Sequence, residues 1–158
     1  MKFNFFQLAD DCLGQWIESS AKNLSLERSR VLIQEGEPSE NIYVLRRGKL
    51  TVKTSTQAGE EVLIAQLVDE GALVGEMSFL ESRPPVASVT AEPGSEILFV
   101  SKEKLDKAIN CDLALGRAFY HLMAQKLSQQ IKGQNAMIHS SPRNPVEPLR
   151  KVLTLFGD

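Results

Sequence analysis

The stretch GEMSFLESRPPVASVTA, residues 75–91, decides how this sequence is interpreted. It opens with the pair Gly75-Glu76, continues into one predicted helical turn, and passes a double-proline corner into a strand start. Glycine allows close approach of the backbone, and free N–H groups at the start of the turn suit an anion. Glu76 repels an anion and is expected to accept from neutral hydroxyls instead. The stretch therefore predicts a loop for a phosphate beside a sugar hydroxyl, although alone it also fits an ordinary helix cap.

Short strand-like runs lie on both sides of this stretch. Four glycines separate the first of them at intervals of 12, 11 and 12 residues, a spacing that predicts an antiparallel sandwich or roll. The connections EPSEN at 37–41 and TQAGE at 56–60 are predicted to be hairpins. The six runs are RVLIQEG, NIYVLRRG, KLTVKTS, EEVLIAQL, ASVTA and EILFVS.

Helical patterns flank the strands at both ends. Residues 5–17 repeat apolar side chains at steps of three and four, which predicts one amphipathic helix with a buried stripe. Ser101 is the predicted N-cap of a second helix. Asp112 is the predicted N-cap of a longer helix, which is expected to fray around Gly133. The apolar side predicted for the long helix consists of Leu115, Phe119, Leu122, Met123, Leu127 and Ile131. The fold class is thus a mainly β protein, an antiparallel, jelly-roll-like β-roll with an N-terminal helix and two C-terminal helices.

The chain is predicted to contain one domain and an appendage. The domain covers residues 1–135, and residues 136–158 form a proline-containing linker with a short apolar tail. This tail is too small to fold alone and too apolar for a free end, so we expect it to pack on the roll or on a neighbouring chain. Its apolar residues are Leu149, Val152, Leu153 and Phe156.

Composition and charge argue against several classes of protein. A net charge of −2 gives no general attraction to nucleic acid, and no apolar run reaches the length of a membrane span. The first residues do not form a secretory signal. Cys12 and Cys111 lie far apart in no metal spacing, as in a reduced intracellular protein. We therefore predict a cytoplasmic protein with neither a nucleic-acid nor a membrane partner.

The sequence shows no pattern typical of an enzyme or a metal site. His121 and His139 fall in the long helix and the linker, and neither has a second histidine at ligand spacing. No GxSxG or Cys/His arrangement is present, and the cations Arg46-Arg47 and Lys102, Lys104 and Lys107 are interpreted as solvated faces. We predict a protein without catalytic or metal-ligating residues.

The order of these elements resembles the cyclic nucleotide-binding domain. That family includes the sensor half of bacterial catabolite-activator-type regulators and the regulatory domains of kinases and ion channels. VLIQEGEPSENIYVLRRGKLTV is similar to its first strands, and residues 75–91 are similar to its phosphate-binding cassette, called the cassette below. The resemblance covers about residues 5–135 and implies an eight-stranded β-roll that binds cAMP or cGMP without a separate cofactor.

The resemblance also assigns roles within the cassette. Gly75 and Ser78 would present backbone N–H groups to the phosphate, Glu76 would hold the ribose 2′-hydroxyl, and the long helix would cover the base. Ser88 would lie near the phosphate or the base at the start of a strand. The candidate ligand-binding residues are Gly75, Glu76, Met77, Ser78, Arg83, Pro85, Val86, Ala87 and Ser88.

The cassette departs from the family pattern at its phosphate arginine. The family has an arginine, a small residue, Ala and then Thr or Ser after the proline, whereas this chain has Pro85, Val86, Ala87 and Ser88. A bidentate guanidinium–phosphate pair comprises two bonds of about 1.5–3 kcal/mol each. Losing roughly 3–5 kcal/mol weakens binding on the order of a hundred- to thousandfold or more. Arg83 is the nearby substitute, but a residue before proline is held extended, which directs its side chain outward.

Two functions follow from these features. The first is a sensor module that binds a cyclic nucleotide weakly or with altered preference and signals to an unidentified protein partner. The alternative is a ligand-free descendant that serves as a protein–protein interaction or regulatory subunit. A homodimer through the helix at 112–132, with its contact near 113–127, is also predicted. A third interpretation, a small cupin-like enzyme, lacks the metal ligands that it requires.

Overall fold

The computed structural model describes residues 2–140, which form eight strands and five helices. The helices are α1 (Phe5–Leu8), α2 (Asp11–Ser20), α3 (Glu76–Glu81), α4 (Lys102–Cys111) and α5 (Leu113–Ser140). The strands are β1 (Lys22–Ser25), β2 (Arg30–Ile33), β3 (Asn41–Arg47), β4 (Leu50–Ser55), β5 (Glu61–Leu67), β6 (Leu73–Val74), β7 (Ser88–Ala91) and β8 (Glu96–Ser101). None of the helices within residues 2–140 combines the length and the apolar character that a membrane span requires.

The strands form two four-stranded antiparallel sheets, which confirms the predicted β-roll. One sheet has the order β1-β8-β3-β6, and the other has the order β2-β7-β4-β5. The six predicted runs all become strands. The sequence pattern missed β1 because its sequence, KNLS, is mostly polar, and it missed β6 because two residues are too few for a pattern.

The connections between strands divide into one hairpin and several crossovers. Residues 56–60 join β4 to β5, which pair with each other, so the hairpin predicted there is confirmed. The hairpin predicted at 37–41 is wrong, since β2 pairs with β7 while β3 pairs with β6 and β8 in the other sheet. Turn residues mark the end of a strand equally well in both cases, whereas the partner of the next strand is decided by packing.

Apolar side chains fill two layers of the domain. One cluster lies between the sheets and includes Leu45, Leu50 and Ile97, which are fully buried. The second joins the outer face of the β1-β8-β3-β6 sheet to the helices, and it includes Leu13 and Leu115. The helices are therefore held on one sheet, on the side where the cassette helix α3 meets α4 and α5.

The N-terminal helix differs from the single helix predicted over residues 5–17. Ala9 is extended, and Asp10 caps a new helix by accepting from the Leu13 backbone N–H at 2.9 Å. The aspartate favours a helix start over helix continuation. Cys12 falls within the apolar repeat from which the buried stripe over residues 5–17 is predicted, but the structure exposes it.

The C-terminal helices begin where the sequence predicts. Ser101 accepts from the Lys104 N–H, and Asp112 accepts from the N–H groups of Ala114 and Leu115. The long helix does not fray at Gly133 but continues to Ser140, across the boundary predicted at residue 135. One glycine costs about 1 kcal/mol, which a 28-residue helix tolerates. The apolar tail predicted at 149–156 lies outside the described residues.

Candidate functional site

Gly75 joins strand β6 to helix α3 and opens the cassette. Its φ of 92° lies in the left-handed region, and a Cβ atom there would stand 2.8 Å from the carbonyl oxygen of Asn41. An L side chain is therefore disfavoured by both its backbone conformation and its space. The tight turn lets α3 begin at once with Glu76.

The side chain of Glu76 points into the protein and forms an ion pair. It is 6% exposed and bonds to the ammonium of Lys126 on α5, which is 12% exposed. The same ammonium donates to the carbonyl oxygen of Leu73 at 2.7 Å and lies 5.7 Å from the centre of the Phe3 ring. Removing one partner of a buried pair costs about 3–5 kcal/mol, because the remaining charge is left uncompensated.

Ser78 lies on the first turn of α3 and meets a second lysine. The Lys102 ammonium on α4 donates to the Ser78 hydroxyl at 2.5 Å, and this hydroxyl donates to the Gly75 carbonyl at 3.2 Å. Partial burial lowers the pKa of Lys102 below its ordinary value, and the negative charge of Glu76 opposes part of this shift. The prediction that Lys102 belongs to a solvated face is therefore wrong.

The double-proline corner is fixed by its carbonyl groups. The Pro85 oxygen accepts from the Gly36 backbone N–H at 2.8 Å. The Val86 side chain is 79% exposed, while its carbonyl lies 3.1 Å from the Thr54 hydroxyl. Arg83 is exposed, as its place before a proline predicts, and within residues 2–140 it forms no ion pair.

Ser88 begins β7 and bonds to the loop that follows β2. Its hydroxyl accepts from the Glu35 backbone N–H at 2.9 Å and from the Gln34 side-chain amide at 3.2 Å. Ala87 is half-buried beside it, whereas Met77 is 49% exposed at the other end of the cassette. The Ser88 hydroxyl is thus positioned by the protein and retains its own proton for a further acceptor.

A carboxylate lies next to this corner. Glu35 accepts from the Ser55 backbone N–H at 2.8 Å and from the Thr54 hydroxyl at 3.0 Å. The bond from Ser55, followed by the one from Thr54, lowers the pKa of Glu35 below its ordinary value. Thr54 has a single hydroxyl proton, so at any moment it donates either to Glu35 or to the Val86 carbonyl. A negative charge beside the corner opposes a phosphate there.

Strand β2 brings the two ends of the cassette together. The Ile33 side chain lies 3.4 Å from the position that a Gly75 Cβ would occupy. In the sheet, Ile33 is the register partner of Val89, which follows Ser88. The two ends of the cassette therefore both lie next to Ile33, although their polar partners differ: lysines of α4 and α5 for residues 75–78, the 34–36 loop and β4 for residues 85–88.

Sequence reasoning missed Lys126, Lys102, Glu35 and Thr54. One signal was present for Lys126, which continues the buried series Leu115, Phe119 and Leu122 at a helical step. A lysine on an apolar helix face needs a buried acceptor, and this requirement pointed to a carboxylate elsewhere. The other three residues stand in ordinary polar surroundings in the sequence, and no local pattern distinguishes them.

The chain belongs to the cyclic nucleotide-binding domain family, whose model matches residues 23–112, more than half of its length. The matched region contains the whole β-roll from Asn23 onward, the cassette and α4. This is the family that the order of strands, cassette and helices resembles in the sequence. It is a family of regulatory, ligand-binding domains.

Individual proteins are similar to this chain in sequence or in structure. The anaerobic regulatory protein of Bacillus subtilis (strain 168) is 24% identical over 147 residues, which are 92% of this chain and 61% of the relative. A cyclic nucleotide-binding domain from Methylobacillus flagellatus KT superposes with a TM-score of 0.71 at 21% identity, covering 82% of this chain and 72% of that one. The N-terminal domain of a transcriptional regulator from Streptomyces coelicolor A3(2) superposes with a TM-score of 0.65 at 25% identity. The match covers 82% of this chain and 89% of that one. The chain spans less than two thirds of the curated relatives that it matches.

Proposed function

We propose that this chain is a regulatory module that binds a cyclic nucleotide, cAMP or cGMP, with low affinity. The observation that carries the proposal is the complete backbone of the cassette, from the left-handed Gly75 to Ser88 at the start of β7. Its glutamate and serines stand in the family's order. Membership in the family supports the class of ligand.

Low affinity follows from the chemistry of the corner. At the position of the family's phosphate arginine, Pro85 contributes only a carbonyl oxygen, which already accepts from Gly36. Val86 contributes a methyl-bearing side chain that points to solvent, and Glu35 adds a negative charge nearby. No charge-assisted bond to a phosphate is available from positions 85 and 86, and such bonds are the strongest in phosphate recognition.

Isothermal titration calorimetry with cAMP and cGMP tests this proposal. We expect dissociation constants well above the micromolar range for both nucleotides, because Pro85 provides no cation for the phosphate. Submicromolar binding by the unmodified chain would contradict weak binding and would point to Arg83 as the phosphate ligand. In that event Arg83→Ala abolishes the binding, whereas Arg47→Ala, which removes an exposed arginine of β3, leaves it unchanged.

We also propose a homodimer through α5, with a contact that extends past the predicted range of 113–127. Leu122 and Met123 are buried against the domain, whereas Leu127 and Ile131 are 54% and 50% exposed. Exposed apolar residues recur at steps of seven and four along the helix, as in a coiled-coil seam. This exposed seam consists of Leu113, Tyr120, Leu127 and Ile131. Two copies that pair along it would cover apolar surface that the domain itself leaves open.

The alternative is a ligand-free interaction module, and one observation favours it. Glu76, the residue expected to hold the ribose, is already bonded to Lys126. In this alternative the module acts through the exposed seam and the apolar tail at 149–156, which bind an unidentified protein partner or the chain itself. Deleting residues 142–158 tests the tail: a lower melting temperature or a changed oligomeric state supports a docked tail. An unchanged protein, with fast amide exchange over these residues in the full chain, contradicts it.

The module is proposed to act by binding and not by catalysis. Its cassette offers backbone groups, a carboxylate and hydroxyls for holding a ligand, and the family supports that role. We further propose a cytoplasmic site of action without a nucleic-acid or membrane partner for these residues, in keeping with the net charge of −2.

A further inference from the structure

Lys126 makes three contacts at one place in the structure. Its ammonium bonds to the Glu76 carboxylate, donates to the Leu73 carbonyl and lies over the Phe3 ring. These partners come from α3, β6 and the N-terminal segment, so a single side chain of α5 joins all of them. An ammonium has three protons to donate, and this site supplies two oxygen acceptors and an aromatic face.

The ion pair engages Glu76 Oε1, and burial of the side chain, which is 6% exposed, leaves little of the carboxylate open to a ligand hydroxyl. A ribose hydroxyl is a neutral donor, and a bond from a neutral donor is weaker than one from an ammonium. Displacing the Glu76 bond while α5 stays in place would also leave the Lys126 charge buried with only the Leu73 carbonyl and the Phe3 ring. A ligand therefore gains little from Glu76 unless Lys126 moves away together with its helix.

We propose that Lys126 is a specificity-determining residue, which occupies Glu76 in place of the ligand's ribose hydroxyl and so removes the preference for a 2′-hydroxyl. This inference rests on the proposed function, because it concerns how that same cassette selects its ligand. It also links ligand choice to α5, since Glu76 becomes available only when this helix leaves the cassette.

The matched pair of cAMP and 2′-deoxy-cAMP provides the test. Measurements are made in a Pro85→Arg background, which supplies the phosphate contact and brings binding into a measurable range. We expect Pro85→Arg protein to bind the two ligands with similar dissociation constants. Adding Lys126→Met, which keeps the apolar stem but removes the charge, is expected to favour cAMP over its 2′-deoxy analogue by about tenfold or more.

Two further variants serve as controls. Lys126→Arg keeps a cation beside Glu76 and should bind both ligands equally. Lys102→Met removes a lysine that bonds to Ser78 and not to Glu76, and it should leave the ratio of the two affinities unchanged. If Lys102→Met raises the ratio as much as Lys126→Met, a general loss of positive charge explains the effect and the proposal is overturned.

A second measurement decides the case if Lys126→Met does not fold. Glu76→Gln in the Pro85→Arg background removes the carboxylate itself. Equal affinities for cAMP before and after this change support the proposal, because the carboxylate was not serving the ligand. A loss of about tenfold for cAMP with no loss for 2′-deoxy-cAMP overturns it, since Glu76 was then bound to ribose despite Lys126.

Failure of the proposed function gives a different result. If the Pro85→Arg protein binds neither nucleotide, the assignment of the cassette as a nucleotide site is wrong. The ion pair is then judged from urea unfolding of Glu76→Gln, Lys126→Met and the double variant. Non-additive losses support Lys126 as the occupant of Glu76, and additive losses overturn that assignment.

Discussion

The backbone N–H of Gly36 donates to the carbonyl oxygen of Pro85 at 2.8 Å, and this bond holds the cassette corner against the loop after β2. The acceptor in this bond is the backbone carbonyl oxygen, which every residue type has. Position 85 can therefore exchange its side chain without losing the contact. The proline removes a phosphate ligand from the corner, but the path of the backbone that would present such a ligand is still there.

Restoring the arginine should restore affinity. We expect Pro85→Arg to bind cAMP at least about tenfold more tightly than the unmodified chain, because a guanidinium provides two charge-assisted bonds to the phosphate. Calorimetry measures the change. Pro85→Ala is the matched control, since it releases the ring constraint without adding a cation, and it should not gain affinity. Equal gains in both variants would show that backbone freedom, and not the guanidinium, limits binding.

Charges on the exposed seam should separate a dimer. Leu127→Asp combined with Ile131→Asp places two carboxylates on each copy, where they repel and must be desolvated. Light scattering at several concentrations should give a mass near 17.5 kDa for this variant and twice that for the unmodified chain. Lys132→Asp, one residue from the seam on an exposed side chain, should remain dimeric. A mass near 17.5 kDa for the unmodified chain at every concentration argues against any dimer.

Aspartates at Leu122 and Met123, which lie within the contact predicted at 113–127, are expected to act differently. Both side chains are buried against the domain. An unpaired carboxylate there destabilises the fold itself. Circular dichroism should show a lowered melting temperature for these variants, and a well-folded monomer would instead place the interface at these residues.

Acid should weaken the bonds of Glu35. Its folded-state pKa lies below the ordinary value of 4.5, so its stabilising effect is complete above that value and is lost as the pH falls through the folded-state pKa. In urea unfolding, the free energy of unfolding should be higher for the wild type than for Glu35→Gln at pH 7. This difference should shrink below about pH 4.5. Glu37→Gln is the matched control, because it removes a charge of the same sign from an exposed side chain nearby. If the difference in unfolding free energy between wild type and Glu35→Gln stays constant with pH, the carboxylate charge does not contribute to stability.

Two glycines with positive φ should differ in their tolerance of alanine. Gly59 lies in an open turn at φ 82°, with nothing near its missing Cβ, so Gly59→Ala should cost about 1 kcal/mol from the backbone alone. Gly75→Ala has the same backbone cost, and its Cβ would also meet the Asn41 carbonyl at 2.8 Å. We expect about 1–3 kcal/mol more for Gly75→Ala. Equal losses in chemical denaturation would mean that Asn41 moves aside freely.

Much of the fold could be predicted from local pattern. Six of the eight strands, the caps at Ser101 and Asp112 and the left-handed turn of the cassette each leave a signal within a few residues. These features depend on hydrogen bonds and dihedral preferences between near neighbours, which the local sequence specifies. The substitution of proline at position 85 is likewise visible in the sequence, because the surrounding Pro84, Ala87 and Ser88 fix the alignment.

Other features depend on which distant residues meet. The sequence placed Leu127 and Ile131 on the buried face of α5, whereas the structure exposes both of them and turns Lys126 toward the domain instead. It assigned Glu76 to a ligand, whereas the packing of α5 brings Lys126 to it from 50 residues away. The sequence by itself determined a β-roll with a cassette that lacks its arginine. Only the tertiary structure decided that the remaining carboxylate has a partner, since burial of a charge is satisfied by whichever opposite charge the fold brings within reach.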